Sequence, residues 1–123
     1  MKIERDDAGG RNTFTGHGEG YVEVNGKRHS SSLVVGGERI VTDWPATSVE
    51  SLTADHLAAI VELKPEIVLL GTGTRFTFPD KSLLVPLYKA GIGVEAMDTP
   101  AACRTYNILL GEGRNVVAAL IVP

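Results

Sequence analysis

Pro65-Glu66-Ile67-Val68-Leu69-Leu70-Gly71-Thr72-Gly73 is the stretch on which the fold turns. Ile67 to Leu70 is a continuous apolar run rather than an alternating one, which is the pattern of a strand covered on both faces, as in α/β proteins. Pro65 disfavours helical geometry in the residue before it, so a preceding helix must stop near Lys64. Upstream, Thr53 is a good N-cap, with Asp55 in the positively polarised first turn and Leu52 and Leu57 spaced as a hydrophobic staple. Leu57, Ile60 and Val61 form the buried stripe of that helix.

The same alternation continues downstream. A second helix is expected from about Leu83 to Ala90, confined or kinked by Pro86 and ended by Gly91. Gly93 to Met97 reads as the next strand. Thr99 is then placed as the cap of a third helix with Pro100 at N1, and Gly111 as its left-handed exit. Val116 to Val122 is a last apolar strand. Strands alternating with helices predict an α/β fold with a central mixed sheet and helices on both faces, a three-layer arrangement.

The first third reads as β. Val22 and Val24 alternate with Glu23 ahead of Asn25-Gly26, a dipeptide suited to a two-residue hairpin turn, and Lys27 to Val35 runs back. Gly36-Gly37 marks a second turn before Glu38 to Asp43, so a short N-terminal β-meander is expected, ending at Trp44-Pro45.

At 123 residues the chain fits one domain, 1–123. Its 12 Lys and Arg against 15 Asp and Glu give a net charge of −3 with no basic run, which removes the electrostatic case for nucleic acid. Cys103 is the single cysteine, so no intrachain disulfide forms and a reducing, cytoplasmic setting is the simplest expectation. No run approaches the roughly 18 apolar residues of a membrane span. Nothing in the pattern sets an oligomeric state.

Pro65 to Gly73, then Gly91-Ile92-Gly93-Val94-Glu95-Ala96-Met97-Asp98-Thr99, then Ala102-Cys103-Arg104-Thr105-Tyr106-Asn107 form an ordered set, with Glu112-Gly113-Arg114-Asn115-Val116-Val117-Ala118-Ala119-Leu120 behind it. In order and spacing they resemble a domain-of-unknown-function family that includes the mitochondrial assembly factor of respiratory complex I (NADH:ubiquinone oxidoreductase) and an adipogenesis-associated protein. The resemblance runs from Tyr21 onward. It implies a three-layer α/β fold with a mixed sheet and action through protein partners, and it does not imply an established enzymatic activity.

The motifs have both a bland and a sharp reading. Gly71-Thr72-Gly73 sits where open α/β sheets place ligands, outside the carboxyl ends of their strands. It is not a dinucleotide fingerprint, because Phe76 stands at the third glycine position and Phe76-Thr77-Phe78-Pro79 is extended. The loop, with Thr74 and Arg75, is either a plain turn or a cradle of backbone N–H groups for a small anion. Arg75, Arg104 and Arg114 either gather there with Asp98 and Thr99 at the start of the third helix, or pair with Asp98, Glu95 or Glu112 to brace loops. Arg104 and Asn107 share a helix face as a candidate recognition pair.

The three histidines, His17, His29 and His56, lack companions at ligand spacing, so no metal site is assigned and solvated side chains are expected. Cys103 has no visible general base and reads as a buried small residue, Trp44 and Tyr106 as core or partner anchors, and Ser30-Ser31-Ser32 as strand or strand edge. Gly16, Gly18 and Gly20 read as bends or bulges. No catalytic residue and no cofactor is assigned. The leading expectation is a noncatalytic interaction domain of assembly type with a protein partner. The alternative is a small-molecule binding protein or enzyme with an anionic ligand at the loop.

Overall fold

The computed structural model describes residues 11–122. Its elements run β1 (Phe14–Gly18), β2 (Tyr21–Val24), β3 (Lys27–His29), β4 (Leu33–Gly36), β5 (Ile40–Val41), α1 (Ala54–Val61), β6 (Ile67–Gly71), α2 (Lys81–Lys89), β7 (Gly93–Met97), α3 (Thr99–Gly111) and β8 (Val116–Leu120). They make a three-stranded sheet, β1-β2-β3, and a five-stranded sheet in the order β5-β4-β8-β6-β7. β6 lies parallel to both β7 and β8, while β4 runs antiparallel to β8 and to β5, so the large sheet is mixed, as expected.

The continuous apolar runs have the purpose read from them. Successive side chains of a strand point to opposite faces, and Val34, Val68, Leu70, Val117 and Ala119 pack with α1 and α2 while Leu33, Leu69, Val116, Ala118 and Leu120 pack with α3. The path from β6 through α2 moves outward to β7, and the path from β7 through α3 moves back past β6 to β8. Two crossovers of one hand that travel in opposite directions must lie on opposite faces, which is where α2 and α3 are found.

Several local signals hold. Thr53 caps α1 and forms a capping box in which His56 Nδ1 accepts from Thr53 N at 3.1 Å. Asn25 and Gly26, at φ 52° and 82°, make the β2–β3 turn. Trp44 is buried and donates from its indole nitrogen to His56 O at 3.1 Å, so it is core. His56, half-buried, thus has a structural role as the reciprocal partner in the α1 capping box.

Other boundaries are corrected. The run Lys27 to Val35 breaks at Ser30–Ser32, where β3 in the small sheet gives way to β4 in the large one. Ser32 is buried there, its hydroxyl oxygen accepting from Val122 N at 3.0 Å and its carbonyl from Trp44 N at 3.0 Å. Glu38 to Asp43 contains only the two-residue β5. The small sheet begins earlier than expected, with β1, whose register shifts between Phe14 and Gly16. α2 starts at Lys81, capped by Asp80, whose carboxylate accepts from Ser82 N at 2.9 Å. α3 exits through Gly113, at φ 84°, not Gly111: Gly113 N donates to Leu110 O and Arg114 N to Leu109 O, both at 3.0 Å, the paired bonds of a Schellman ending.

Candidate functional site

The carboxyl ends of β6 and β7 are adjacent and their connections leave toward opposite faces, the arrangement that opens a ligand crevice in many α/β sheets. Here the crevice is stitched shut. Thr72 N donates to Met97 O at 2.8 Å, Thr99 N to Gly73 O at 2.8 Å, and Gly73 N to the Thr99 hydroxyl at 2.9 Å. That hydroxyl, almost wholly buried, donates in turn to Ile121 O at 2.8 Å, so one side chain joins β6, α3 and the end of β8.

This junction corrects the helix start. Thr99 is the first residue of α3, and the cap is Asp98, whose carboxylate accepts from Ala101 N at 2.8 Å. Both residues are good caps by type; the tertiary demand on the Thr99 hydroxyl decides between them. The first turn then offers little to a ligand: Thr99 N and Ala102 N donate to carbonyls, Ala101 N to Asp98, and Pro100 has no N–H.

Two glycines let the junction close. A side-chain carbon on Gly71 would meet Leu120 Cδ2 at 2.7 Å and Thr99 Cα at 3.1 Å, so its absence lets α3 approach the sheet. Gly73 takes φ 101°, a conformation that side chains oppose. Past it, the buried Thr72 hydroxyl donates to Arg75 O at 2.8 Å and accepts from Thr77 N at 3.2 Å, fixing the turn of the loop.

The candidate residues converge only in part. Gly71, Thr72, Gly73, Thr74, Asp98 and Thr99 meet at the strand ends, with Arg75 exposed on the loop and Arg104 exposed on α3. Arg114 lies at the other end of β6, roughly 16 Å away by strand rise, in an ion pair with Glu66 at 2.8 Å that holds the Glu66 carboxyl below its usual range. It braces a loop, and its partner is Glu66 rather than Asp98, Glu95 or Glu112. Asn107 is likewise engaged: its amide accepts from Phe14 N at 2.9 Å and donates to Phe14 O at 2.8 Å, clamping β1 to α3.

The internal groups are inert by environment. Burial pushes the Cys103 thiol up to about 12, outweighing the nearby Arg104, so it is a neutral core side chain. Tyr106 is fully buried, donates to Asn12 O at 2.9 Å and packs edge-on against Phe14 at 5.1 Å. Among the described residues no three His, Cys, Asp or Glu side chains cluster to hold a metal.

A groove of about 320 Å³ lies beside the junction, walled by Gly73, Thr74, Thr99 and Pro100 and by His17 and Tyr21 of the first hairpin. The hairpin's share in this wall was not legible in sequence. Tyr21 is set there by contact, since its ring covers Gly18 and carries the Arg28 guanidinium at 4.0 Å. The other missed feature is the loop tip. Phe76 and Phe78 stack edge-on at 4.5 Å and remain 45% and 80% exposed. Their signal was present: two phenylalanines in a segment with no helical or core periodicity.

The family model described as "Protein of unknown function (DUF498/DUF598)" matches residues 14–121. The chain belongs to this family. Among its relatives, the human "NADH dehydrogenase [ubiquinone] 1 alpha subcomplex assembly factor 3" is 36% identical over 107 residues, 77% of this chain and 58% of that protein. A Francisella tularensis protein named "13 kDa major membrane protein" is 38% identical over 73 residues, 59% of each chain. The chain thus spans less than two thirds of the length of these curated relatives. A crystal structure of a Bordetella parapertussis protein is 45% identical, covers 92% of this chain and 97% of its own, and superposes with a TM-score of 0.87. Among the described residues no helix of this DUF498/DUF598 member is long and apolar enough to cross a membrane.

Proposed function

We infer that the protein is a single noncatalytic interaction domain of assembly type, binding a protein partner through the loop Gly73–Phe78. The observation that carries this is the exposed Phe76–Phe78 pair beside Arg75. Phe and Arg side chains are enriched at protein interfaces relative to the rest of the surface, and an exposed aromatic pair held on a pinned loop presents area with little further ordering on binding. The Thr72 hydroxyl and the Gly73–Thr99 bonds provide that pinning. The assembly-factor name of a relative at 36% identity supports a partner from an NADH:quinone oxidoreductase-type complex. A cytoplasmic setting fits the single, buried, unpaired cysteine.

The test is affinity capture from the native host with the wild type and with a Phe76→Ser/Phe78→Ser double variant, followed by mass spectrometry. Subunits of such a complex should be retained by the wild type and lost with the variant, while circular dichroism stays unchanged. Identical retention by both would remove the loop from the reading.

A further inference from the structure

β7 ends the five-stranded sheet, and its outer edge has no partner strand among the described residues. The hydrogen-bond register defines what that edge offers. Gly93 pairs with Ile67, Glu95 with Leu69 and Met97 with Gly71, and the ladder is closed by Gly93 N donating to Glu66 O at 3.1 Å and Thr72 N donating to Met97 O at 2.8 Å. In a parallel ladder alternate residues direct both backbone groups to one neighbour. Gly93, Glu95 and Met97 therefore face β6. Val94 and Ala96 direct their N–H and C=O groups outward, and among the described residues no hydrogen bond reaches them.

Apart from one charge, the edge also lacks the usual protections. It is five residues long with no Pro, Lys or register shift, whereas the opposite edge, β5, is blunted to two residues. Val94 and Ala96 are only half-buried against the α1–α2 side. Glu95 is exposed on the other face, and it is the one charge on the strand.

We propose that β7 is a strand-addition site for an extended segment of another polypeptide that places a Lys or Arg opposite Glu95. Outward backbone donors and acceptors at strand spacing recognise a backbone, and cross-strand neighbours of opposite charge add to the pairing while like charges oppose it. The same charge selects against a second copy. Antiparallel pairing of β7 with itself over its full length sets residue 93 against 97 and Glu95 against Glu95. This site is separate from the Phe76–Phe78 loop and stands or falls independently of it.

The probe is a capped seven-residue peptide of alternating Thr and Val with Lys at its centre, compared with the same peptide carrying Glu there. Each is titrated to millimolar concentration into the 15N-labelled protein. The Lys peptide should shift the Val94 and Ala96 amide resonances saturably and slow their hydrogen exchange, binding roughly three- to tenfold tighter than the Glu peptide. Glu95→Lys should reverse that order. Ala96→Pro removes an outward N–H at an edge position that tolerates proline, so it should abolish binding with the β6–β7 ladder signals retained. If that variant does not fold, the charge reversal decides alone. Absent shifts at Val94 and Ala96, or equal affinity for the two peptides, would overturn the proposal. So would protection of these amides without peptide in a species of dimer mass, which would assign the edge to a second copy.

Discussion

Replacing Thr99 with Val keeps the shape of the side chain and removes its oxygen. That oxygen accepts from Gly73 N at 2.9 Å and donates to Ile121 O at 2.8 Å in a site only 6% exposed. A typical internal hydrogen bond contributes about 1 kcal/mol net, and a buried polar group left without a partner costs about 1–3 kcal/mol. The variant strands one donor and one acceptor. Partial relaxation toward water at the adjoining groove limits the sum, so a loss of about 2–4 kcal/mol is expected. Thr99→Ser keeps the oxygen and deletes one methyl, for a loss of about 1 kcal/mol. Urea denaturation of the three proteins measures the difference directly, with unchanged slope if only the native state is affected. A Thr99→Val protein within about 0.5 kcal/mol of the wild type, or a Thr99→Ser protein less stable than Thr99→Val, would show that the hydroxyl does not hold the junction together.

Three further outcomes are expected. Asp98→Ala should lower unfolding free energy by about 1 kcal/mol through loss of the α3 cap, read in the same urea experiment. Asn107→Ala breaks both bonds to Phe14 and should cost about 1–3 kcal/mol, with faster amide exchange concentrated in β1. Burial first and Lys27 second hold the His29 pKa below its ordinary 6.5. The unfolded chain therefore takes up its proton before the native state does. Stability should fall as pH drops through 6.5, and His29→Gln should shrink the fall in melting temperature between pH 7.5 and 5.5.

What was legible in sequence was local. Asn25-Gly26 can satisfy only a turn of positive φ, Thr53 has its cap geometry within four residues, and the β6, β7 and β8 runs announce strands by composition. What was illegible depends on distant groups. β1 is Phe-Thr-Gly-His-Gly, a weak strand by propensity, and it is held by Asn107 from 93 residues away. The cap at Asp98 instead of Thr99 follows from Gly73 and Ile121, neither of which is near in sequence. Arg114 matched a converging cluster by residue type, yet the strand direction carries it to Glu66 at the far end of β6. In sequence Phe76 and Phe78 exclude a helix opening after Gly73, whereas their exposure is set by the path of the chain.

We propose that the Gly73–Phe78 loop is the surface through which this domain holds a protein partner. The test is a photo-crosslinking amino acid placed in cells at position 78 and, as a control, at the exposed position 112 at the far end of α3. One discrete crosslinked species is expected at 78, containing a subunit of an NADH:quinone oxidoreductase-type complex, and none at 112. No crosslink at 78, or the same species from both positions, would place the partner surface elsewhere.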